Sequence, residues 1–581
     1  MTMRTVLSVE PFSLPFDAQL TMPGSKSHAN RAIIAACLAQ GTTTIVNATP
    51  CDDVVLLVRN LRHMGFLLQW KDRRSGTLVV HGGIPQNGNR GAVRLFCGNA
   101  GTTLRFLTSL ACIVPGRWTI TGNKRMRTRP IGDLTSALRE LGADIEDSGG
   151  VPPLRIRGGN LRGGSIVLDA SKSSQFLSSL LLIGPLLSGG LSITLKSTLS
   201  SPTYVDLTRK VLSDFGVRVG RRAKRFHVSH ASLRANAHYP IEGDWSAAGA
   251  FLVLAEISKS RIRFANLHEN STQGDRLLPD FIAKLHRAGD ISIHCDTIPD
   301  QIMNLAVLAA HRRGVTRITG ARNLRLKETD RLNVLACELQ KTGIRIVETE
   351  DGLVIRGGTP INGAQLETHD DHRMAMCYAI LGALHAGIRI VNPDCVSKSY
   401  PRFFRDLRTV HASSACIAIV GMRGAGKSTL GREVAKRLHV KHIDTDDVFV
   451  RSHGSIRHFV QKKGWSAFRR KEERIVKESL LPRSVVSLGG GAIESERVRA
   501  LLRAKSIVVF LEADVPLIFE RLKKEGRPPL TNLPLEQEVH IIMKKRSPLY
   551  RSVARIIITE QHSPEKTAEQ TITSLQAACL S

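Results

Sequence analysis

Seven short stretches in the first 403 residues combine small residues with Lys, Arg or hydroxyl side chains. They read MPGSKSHANRA (22–32), CGNAGTTLRF (97–106), KRMRTRPIG (124–132), SKSSQFLSS (171–179), RLKETDRL (325–332), DDHRMAM (370–376) and SKSYPRF (397–403). Such groups hold anions, because small residues expose backbone N–H groups and cations donate charge-assisted hydrogen bonds. Together they offer enough cations to neutralise two phosphates and two carboxylates, and Asp300, Glu328 and His372 are candidates for proton transfer.

A different anion site is predicted nearer the C-terminus. Residues 416–438, CIAIVGMRGAGKSTLGREVAKRL, read as an apolar strand, a glycine loop and an amphipathic helix, and they match the pattern G-x-x-x-x-G-K-[ST]. In such a loop the backbone N–H groups of residues 424–427 cradle phosphates, Lys427 reaches the β and γ oxygens, and Ser428 binds Mg²⁺. Later apolar strands, VVSLGGG and SIVVFLEA, alternate with helices, which predicts a doubly wound parallel sheet.

One pattern recurs through the first 400 residues: a leucine-containing helix, a glycine, and then an alternating strand. Its glycines are Gly65, Gly142, Gly216, Gly289 and Gly343, nearly evenly spaced except for the shorter last interval. The pattern predicts helices that end with glycine in the left-handed conformation, each followed at once by a strand. Repeated α/β units of this kind bury their helices when the copies assemble, so we expect one or two compact repeat domains.

The composition is that of a folded protein with two to four domains. The 581 residues are 42% hydrophobic and 23% charged, and no uninterrupted apolar run reaches the ~18 residues of a membrane span. The first 20 residues show no signal or transit pattern, and the ten cysteines form no CxxC pair, so we expect a cytoplasmic protein with reduced thiols.

The formal net charge of +31 raises the possibility of a nucleic-acid partner. The basic residues are spread along the chain, without a long Lys/Arg block or an aromatic-interleaved patch, and aromatic residues make up only 5%. An excess of cations also suits an enzyme with small anionic substrates. A basic nucleic-acid-binding protein with a decayed enzyme core stays open as an alternative.

Residues from about 20 to about 407 resemble the 5-enolpyruvylshikimate-3-phosphate (EPSP) synthase family, whose motifs match the seven stretches in order. The resemblance implies an α/β fold of two globular halves, each of three βαβαββ units. It implies catalytic roles for Asp300, Glu328 and Lys26, and no cofactor. Shikimate 3-phosphate would bind Lys26, Ser27, Arg31, Ser173, Ser174, Gln175, Ser201, Asp300, Asn323 and Lys327, and phosphoenolpyruvate would bind Lys26, Gly101, Arg125, Gln175, Arg331, Arg373 and Lys398.

Two alternatives concern this region. Glu328 lies three residues before Arg331, a spacing that is also common in plain surface ion pairs. UDP-N-acetylglucosamine enolpyruvyl transferase shares the repeat fold, but Gly24-Ser25-Lys26-Ser27 and the triplet at residues 173–175 favour the synthase. The sequence also departs from some family members at Phe106, where they have proline, which leaves the response to inhibitors that mimic phosphoenolpyruvate undetermined.

Residues 416–575 resemble shikimate kinase. ATP would bind Gly424, Ala425, Gly426, Lys427, Ser428, Thr429 and the lid residue Arg527; Mg²⁺ would bind Ser428 and Asp444; and shikimate would bind Asp446, Arg469, Gly490 and Arg546. Adenylate and gluconate kinases share the glycine loop, so the assignment to shikimate kinase depends on the residues that would bind shikimate. Trp465 stands where the family often has Glu, and the arom proteins, which join similar domains in this order, have a similar Gly-Trp.

The sequence therefore predicts a bifunctional enzyme of aromatic amino-acid precursor synthesis. Its expected domains are a synthase at 1–411, with halves at 22–240 and at 1–21 plus 241–411, and a kinase at 412–581. The expected partners are the small molecules shikimate, ATP, phosphoenolpyruvate and shikimate 3-phosphate, with no membrane, no specific nucleic acid, and a monomer favoured.

Overall fold

The computed structural model describes residues 5–12, 15–86, 91–524, 531, 533–559 and 563–578. They form two compact units. The first takes the described residues of Met1–Val9, Thr21–Ile257 and Phe264–Phe403, and the second those of Glu10–Leu20, Ser258–Arg263 and Phe404–Ser581. In the described part of the chain, every helix is too short or too polar to cross a membrane.

The chain opens with two short strands, β1 (Val6–Ser8) and β2 (Asp17–Leu20). The first half of the first unit then alternates helices and strands. It comprises α1 (Lys26–Leu38), β3 (Gly41–Val46), α2 (Asp52–His63), β4 (Leu67–Asp72), β5 (Thr77–Gly82), β6 (Ala92–Phe96), α3 (Gly101–Ile113), β7 (Gly116–Thr121), α4 (Gly132–Glu140), β8 (Asp144–Glu146), β9 (Leu154–Gly158), β10 (Gly164–Leu168), α5 (Ser174–Ile183), β11 (Leu191–Leu195), α6 (Thr203–Asp214), β12 (Val219–Arg222), β13 (Arg225–Val228) and β14 (His238–Pro240).

These strands form three four-stranded sheets of one design, with the orders β14-β3-β5-β4, β6-β7-β9-β8 and β10-β11-β13-β12. Each sheet begins with a parallel pair, such as β6 with β7, and ends in an antiparallel hairpin, such as β8 with β9. Helices α1, α3 and α5 are buried on nearly all sides and fill the core between the sheets. Each of these three helices begins in one of the predicted anion-binding stretches, so the core fixes where those stretches lie.

The elements that follow complete the first unit and lead into the second. They are α7 (Trp245–Ile257), β15 (Arg261–Phe264), α8 (Leu278–Leu285), β16 (Ile291–His294), α9 (Ile302–His311), β17 (Gly314–Thr319), α10 (Arg331–Gln340), β18 (Arg345–Thr349), β19 (Gly352–Gly357), β20 (Gln365–Glu367), α11 (His372–Leu384), β21 (Arg389–Val391) and α12 (Phe403–Ser414).

The second half of the repeat region departs from the expected three complete units. One four-stranded sheet, β16-β17-β19-β18, has the full design, whereas β1-β21-β20 has three strands in the described part of the chain; the two-stranded sheet β2-β15 lies almost entirely in the second unit. The difference between the two halves begins after Gly289. The strand that follows this glycine, β16, pairs in parallel with β17 and does not form an antiparallel hairpin. The α/β class and the repeated units are as predicted, and the hairpin that this one unit lacks among the described residues accounts for the short interval between Gly289 and Gly343.

The conformation predicted for the repeat glycines is confirmed. Gly65, Gly142, Gly216, Gly289 and Gly343 have φ angles of 95°, 89°, 86°, 80° and 86°. Side chains other than glycine rarely adopt this region, so each glycine lets a helix end and a strand begin at once. This sharp reversal keeps the start of each neighbouring helix at the same edge of its unit.

The second unit contains a parallel sheet with helices on both faces, as predicted. Its elements are β22 (Cys416–Val420), α13 (Lys427–Leu438), β23 (Lys441–Asp444), α14 (Thr445–His453), α15 (Ile456–Ser479), β24 (Ser484–Ser487), α16 (Glu496–Lys505), β25 (Ile507–Glu512), α17 (Val515–Lys524), α18 (Leu535–Val553), β26 (Ile556–Thr559) and α19 (Pro564–Ala578). The strand order is β23-β24-β22-β25-β26, and all four pairings are parallel. The loop after the central strand β22 therefore lies at the carboxyl edge of the sheet, where ligands bind in such folds.

Candidate active sites

A deep polar cavity in the first unit collects most of the predicted synthase residues. Fourteen of them line it: Lys26, Ser27, Arg31, Gly101, Ser173, Ser174, Gln175, Ser201, Asp300, Asn323, Lys327, Glu328, Arg331 and Arg373. They come from both halves of the unit and from helix starts that are distant in sequence. The fold thus brings together groups that the sequence shows only as separate stretches.

Arg331 is the hub of a buried charge cluster in this cavity. Its side chain is 2% exposed and donates to Asp300 (Nη1 to Oδ1, 2.7 Å), Glu328 (Nη2 to Oε2, 2.9 Å) and Asp371 (Nε to Oδ2, 2.7 Å). Burial alone would raise the pKa of Glu328, but Arg331, Lys398 and Arg129 hold it well below its ordinary value. Glu328 is therefore an ionised, buried group, and the alternative of a plain surface ion pair is wrong.

Asp300 is held from two sides. Arg331 donates to one carboxylate oxygen, and the Tyr204 hydroxyl donates to the other at 2.7 Å. Burial pushes the pKa of Asp300 up, but Lys327, Arg373 and Arg331 lower it well below its ordinary range. Asp300 is thus an ionised carboxylate with a fixed orientation.

Asp53 was not predicted from the sequence, yet it joins two predicted lysines. Its carboxylate accepts from Lys26 Nζ at 2.9 Å and from Lys398 Nζ at 2.8 Å, and the Lys398 ammonium also lies 3.3 Å from Glu328 Oε1. Burial would raise the pKa of Asp53, but the two ammonium groups lower it below its ordinary value. The pKa of Lys26 is raised, because Asp53 and Glu328 outweigh its burial. Both groups are therefore charged.

Arg31 lies deep against aromatic rings. Its guanidinium carbon is 5.3 Å from the centre of the Phe106 ring and 5.7 Å from that of Tyr204, and Nε donates to Thr208 Oγ1 at 2.8 Å. Burial lowers the pKa of Arg31 to about 10, which still leaves it a cation at neutral pH. Phe106, the departure from some family members, thus packs against a residue expected to bind shikimate 3-phosphate.

Several contacts tie the early and late parts of the first unit across the cavity. Asn323 Nδ2 donates to Ser200 Oγ at 2.8 Å and Ser201 Oγ at 3.2 Å. Arg125 donates to the carbonyl oxygens of Arg325 (2.9 Å) and Lys327 (3.1 Å). The two halves therefore meet through predicted ligand residues.

Some buried polar atoms at the cavity have no hydrogen-bond partner among the described residues. They are Gln175 Oε1, Asn323 Oδ1, Arg129 Nε and Arg373 Nε. Unsatisfied buried groups cost free energy, so several at one place indicate a site for a polar ligand. The remainder of the Arg373 guanidinium is oriented, since Nη1 donates to the Ser246 carbonyl at 3.0 Å.

Gly101 has a steric reason to be glycine. A Cβ at this position would lie 2.7 Å from Arg129 Nη2 and 2.8 Å from Arg105 Nη1. Both arginines line the cavity, and neither was predicted. Arg129 is one of three arginines in KRMRTRPIG and Arg105 is the single arginine in CGNAGTTLRF, and the sequence did not show that these two face inward.

Two predicted phosphoenolpyruvate residues, Arg125 and Lys398, are outside the cavity lining among the described residues. Arg125 binds the two backbone carbonyls named above, and Lys398 binds Asp53 and Glu328. Each of these two residues directly contacts a residue that lines the cavity. Their predicted direct contact with the ligand stays a prediction.

The second unit has its own polar cavity at the carboxyl edge of the parallel sheet. Predicted residues that line it are Gly424, Gly426, Lys427, Ser428, Thr429, Asp444, Asp446, Arg469, Gly490 and Arg546. Gly424 and Gly426 have φ angles of 81° and 93°, which bend the loop around the start of α13. Ala425 is buried beneath the loop, and Arg527 lies outside the described residues.

The predicted metal residues contact each other. Ser428 Oγ donates to Asp444 Oδ2 at 2.5 Å, and Asp444 also caps α14 by accepting from the Asp446 backbone N–H at 2.9 Å. Hydroxyl and carboxylate oxygens are the hard donors that Mg²⁺ prefers. The pair therefore fits Mg²⁺ beside a phosphate loop.

Charged side chains at the other end of this cavity lie next to the glycines at 489–491. A Cβ at Gly489 would lie 2.6 Å from Asp446 Oδ1, and one at Gly491 would lie 2.0 Å from Arg469 Nη2. Arg469 Nη1 donates to Glu472 Oε2 at 2.5 Å. Burial and the nearby Asp446 raise the pKa of Glu472 to about 7, although Arg469 and Arg546 oppose the shift.

Arg546 is fixed at the same end by a neighbour that the sequence did not reveal. Its Nε donates to Glu494 Oε1 at 2.6 Å, and its side chain is 9% exposed. Tyr550, one turn later on α18, donates through its hydroxyl to the Gly490 carbonyl at 2.5 Å. Two arginines, Arg469 and Arg546, and an acidic side chain, Asp446, thus line the same cavity.

Comparison with known proteins agrees with this geometry. The family model for EPSP synthase (3-phosphoshikimate 1-carboxyvinyltransferase) matches residues 13–407, and the family model for shikimate kinase matches residues 423–576. A 3-phosphoshikimate 1-carboxyvinyltransferase of Methanoculleus marisnigri is 37% identical over 412 residues, which are 68% of this chain and 96% of that protein. One from Psychromonas ingrahamii is 35% identical and is covered over 97% of its length.

Among solved structures, an EPSP synthase from Acinetobacter baumannii superposes with a TM-score of 0.58 at 26% identity, over 70% of this chain and 98% of that one. Both curated relatives carry the name of the shikimate-pathway synthase, not of the UDP-N-acetylglucosamine transferase considered above. The chain belongs to the EPSP synthase family and continues into a shikimate kinase domain, which makes it a bifunctional shikimate-pathway enzyme that carries out both reactions.

Proposed function

We propose that the cavity of the first unit holds both synthase substrates on the residues predicted from the sequence. The phosphate group of shikimate 3-phosphate binds Ser173, Ser174 and Ser201, which lie at the starts of α5 and α6. Phosphoenolpyruvate binds at the end of the cavity that carries the cationic side chains. The observation that carries this proposal is the buried cluster of Arg331 with Asp300 and Glu328, because it places two oriented carboxylates among cations at one point.

The reaction moves two protons. The 5-hydroxyl oxygen of shikimate 3-phosphate forms a bond to C2 of phosphoenolpyruvate, its proton passes to Asp300, and the methylene carbon gains a proton to become methyl. The tetrahedral intermediate then loses a methyl proton as the bond from C2 to the phosphate oxygen breaks and phosphate leaves. Lys26 gives the methylene carbon its proton, and Glu328 takes a methyl proton when the intermediate collapses and returns it to Lys26. The proton held by Asp300 leaves with the phosphate, and the surrounding cations stabilise the charge of the intermediate.

The test of these roles compares Glu328→Gln with Glu338→Gln in the full chain. Glu338 is also a buried glutamate of the first unit, paired with Lys341, and serves as the matched control. We expect Glu328→Gln to lower the synthase kcat by about 10²-fold or more with shikimate 3-phosphate binding retained, because a proton-transfer group is lost. Equal rates in the two variants would contradict the assignment.

We propose further that the second cavity binds ATP at residues 424–429 and shikimate at Asp446, Arg469, Gly490 and Arg546. Mg²⁺ would be held by Ser428, Asp444 and the nucleotide, and when bound it neutralises charge on the transferred phosphoryl group. Lys427 reaches the β and γ oxygens, and Asp446 orients the shikimate hydroxyl that accepts the phosphoryl group. The support is the contact of Ser428 with Asp444 beside the glycine loop.

Lys427→Met separates the two activities. The variant should lose shikimate phosphorylation, because the charge at the β and γ phosphates is gone. It should keep the synthase reaction when shikimate 3-phosphate is supplied. Retained phosphorylation would contradict the kinase proposal, and loss of both reactions would contradict separate sites.

The cellular setting is also a proposal. We infer a cytoplasmic enzyme, with the synthase at residues 1–411 and the kinase at 412–581, that acts as a monomer. All nine cysteines in the described part of the chain are free thiols, as expected in a reducing compartment. Cell fractionation and light scattering of the purified chain test the location and the monomer.

A further inference from the structure

Gln301 follows directly after Asp300, the proposed proton acceptor of the synthase. It lies in the short turn Pro299–Gln301 that leads into α9, and it is completely buried. A glutamine is seldom buried unless its amide is hydrogen bonded, because an unsatisfied amide costs free energy. The partners of this amide therefore indicate what the residue does.

The amide of Gln301 joins three parts of the first unit. Its Nε2 donates to the backbone carbonyl of Ser246, at the start of α7, at 3.3 Å, and it also donates to the carboxylate of Asp275. Its Oε1 accepts from Asn304 Nδ2 at 2.8 Å. Asp275 in turn accepts from the Ser246 hydroxyl. Both amide protons and the amide oxygen thus have partners inside the protein.

The Ser246 carbonyl is shared with Arg373, the proposed phosphoenolpyruvate residue. Arg373 Nη1 donates to this carbonyl at 3.0 Å, and Arg373 Nη2 lies 3.8 Å from Asp300 Oδ2. One donor from Gln301 and one from Arg373 therefore converge on the same oxygen. Because Gln301 is covalently joined to Asp300, these contacts form a closed set that fixes the distance between the Asp300 carboxylate and the Arg373 guanidinium.

Helix α7 leaves room for the amide at Gly249. A Cβ at Gly249 would lie 1.9 Å from Gln301 Oε1 and 2.7 Å from Gln301 Cδ. Glycine inside a helix is less favourable than alanine, because it loses more conformational freedom on folding. The space that the Gln301 amide occupies explains why a glycine stands at this position of α7.

We infer that Gln301 is a positioning residue of the synthase: its amide holds the Ser246 carbonyl, and through that carbonyl Arg373, in place relative to Asp300. This inference rests on the proposed roles of Asp300 in proton transfer and of Arg373 in phosphoenolpyruvate binding. Among the described residues, Gln301 is outside the lining of the cavity, so it acts through Arg373 and not on the substrate.

The first test replaces Gln301 by methionine in the full chain, which keeps an unbranched side chain of similar length but removes the amide. Gln340→Met is the matched control, because Gln340 also donates to a backbone carbonyl, that of Ile346, away from the cavity lining. Phosphate release should show a kcat/KM for phosphoenolpyruvate about tenfold lower in Gln301→Met, the effect of about one lost hydrogen bond. The KM for shikimate 3-phosphate and the kinase reaction should change less than about threefold. Equal values of kcat/KM in the two variants would overturn the inference.

The second test approaches the same contact from α7. Gly249→Ala should displace the amide and lower kcat/KM for phosphoenolpyruvate about tenfold, whereas in Gln301→Ala, where the amide is absent, the same substitution should cause no further fall. Gly220→Ala is the control glycine, since a Cβ there would lie 3.7 Å from the nearest atom. An equal fall from Gly249→Ala in both backgrounds would contradict the inference, even if Gln301→Met does not fold.

Asp300→Asn separates failure of this inference from failure of the proposed function. If Asp300→Asn keeps the kcat of the parent chain, the proposed function itself is wrong. If Asp300→Asn lowers kcat about 10²-fold while Gln301→Met leaves kcat/KM unchanged, only the positioning role of Gln301 is wrong. Thermal unfolding of each variant verifies that it is folded.

Discussion

Replacement of Asp53 by asparagine should uncouple the two lysines that its carboxylate holds. Asp53 has a 3% exposed side chain and accepts from Lys26 at 2.9 Å and from Lys398 at 2.8 Å. Asparagine keeps the size of the side chain but removes the charge. The two buried ammonium groups would then lose their shared counter-charge, although Glu328, 3.3 Å from Lys398, would remain nearby.

The cost follows from the burial of all three groups. Breaking a buried ion pair by removing one partner costs about 3–5 kcal/mol. Because Glu328 still compensates Lys398, we take the lower end, about 3 kcal/mol of folding stability. If Lys26 acts at the reacting carbons, its displacement should separately lower kcat/KM of the synthase reaction by about 10²-fold, the lower end of what a proton-transfer group contributes.

Phosphate release from shikimate 3-phosphate and phosphoenolpyruvate measures the loss, and the kinase reaction of the same chain is an internal reference that should not change. Asp52→Asn is the matched control, since the neighbouring Asp52 binds Ser397 at the exposed surface. The lysines lower the pKa of Asp53 below its ordinary value, so it is ionised at both pH 6 and pH 8 and the loss should be equal at the two. A folded Asp53→Asn chain within about threefold of the parent would refute the reasoning.

Three more predictions concern other parts of the molecule. Burial raises the pKa of Glu472 to about 7, so above that pH Glu472 ionises and its carboxylate competes with the substrate for Arg469. The KM for shikimate should therefore rise from pH 6 to pH 8 in the parent chain. The same KM should not change with pH in Glu472→Gln. Shikimate 3-phosphate should tighten binding of a phosphoenolpyruvate analogue by ~10-fold or more, a coupling of about 1.4 kcal/mol, because ligand residues come from both halves of the first unit; calorimetry showing equal affinities with and without it would contradict this. Residues 404–581 expressed alone should phosphorylate shikimate. A fragment from residue 412 should unfold at a lower temperature, because it keeps only the last residues of α12 and the helix that holds Ala412 in the kinase core would fray; equal melting temperatures would exclude that contribution of α12.

Local features of the molecule could be predicted from the sequence because neighbouring residues determine them. The repeat glycines end helices wherever they occur, and the glycine loop before α13 needs only its strand, glycines and lysine. Glu328 and Arg331 are three residues apart, so their pairing was also predictable. Their burial was not, since it depends on how both halves of the first unit pack.

Long-range partners could not be predicted in the same way. Asp53 is 345 residues from Lys398, and Tyr204 is 96 residues from Asp300. From the sequence alone, a single carboxylate or hydroxyl near a helix start has many possible partners. Only the packing of the sheets brings one of these partners into contact with it. The absent hairpin after Gly289 was visible as a short interval, but its meaning required the pairing of β16 with β17.

The most direct test of the whole account supplies the full chain with shikimate, ATP, Mg²⁺ and phosphoenolpyruvate, and identifies the products by mass spectrometry. The account predicts 5-enolpyruvylshikimate 3-phosphate from the parent chain, shikimate 3-phosphate alone from Glu328→Gln, and unchanged shikimate from Lys427→Met. Shikimate left unmodified by the folded parent chain, or shikimate 3-phosphate that accumulates without enolpyruvyl transfer, would contradict it.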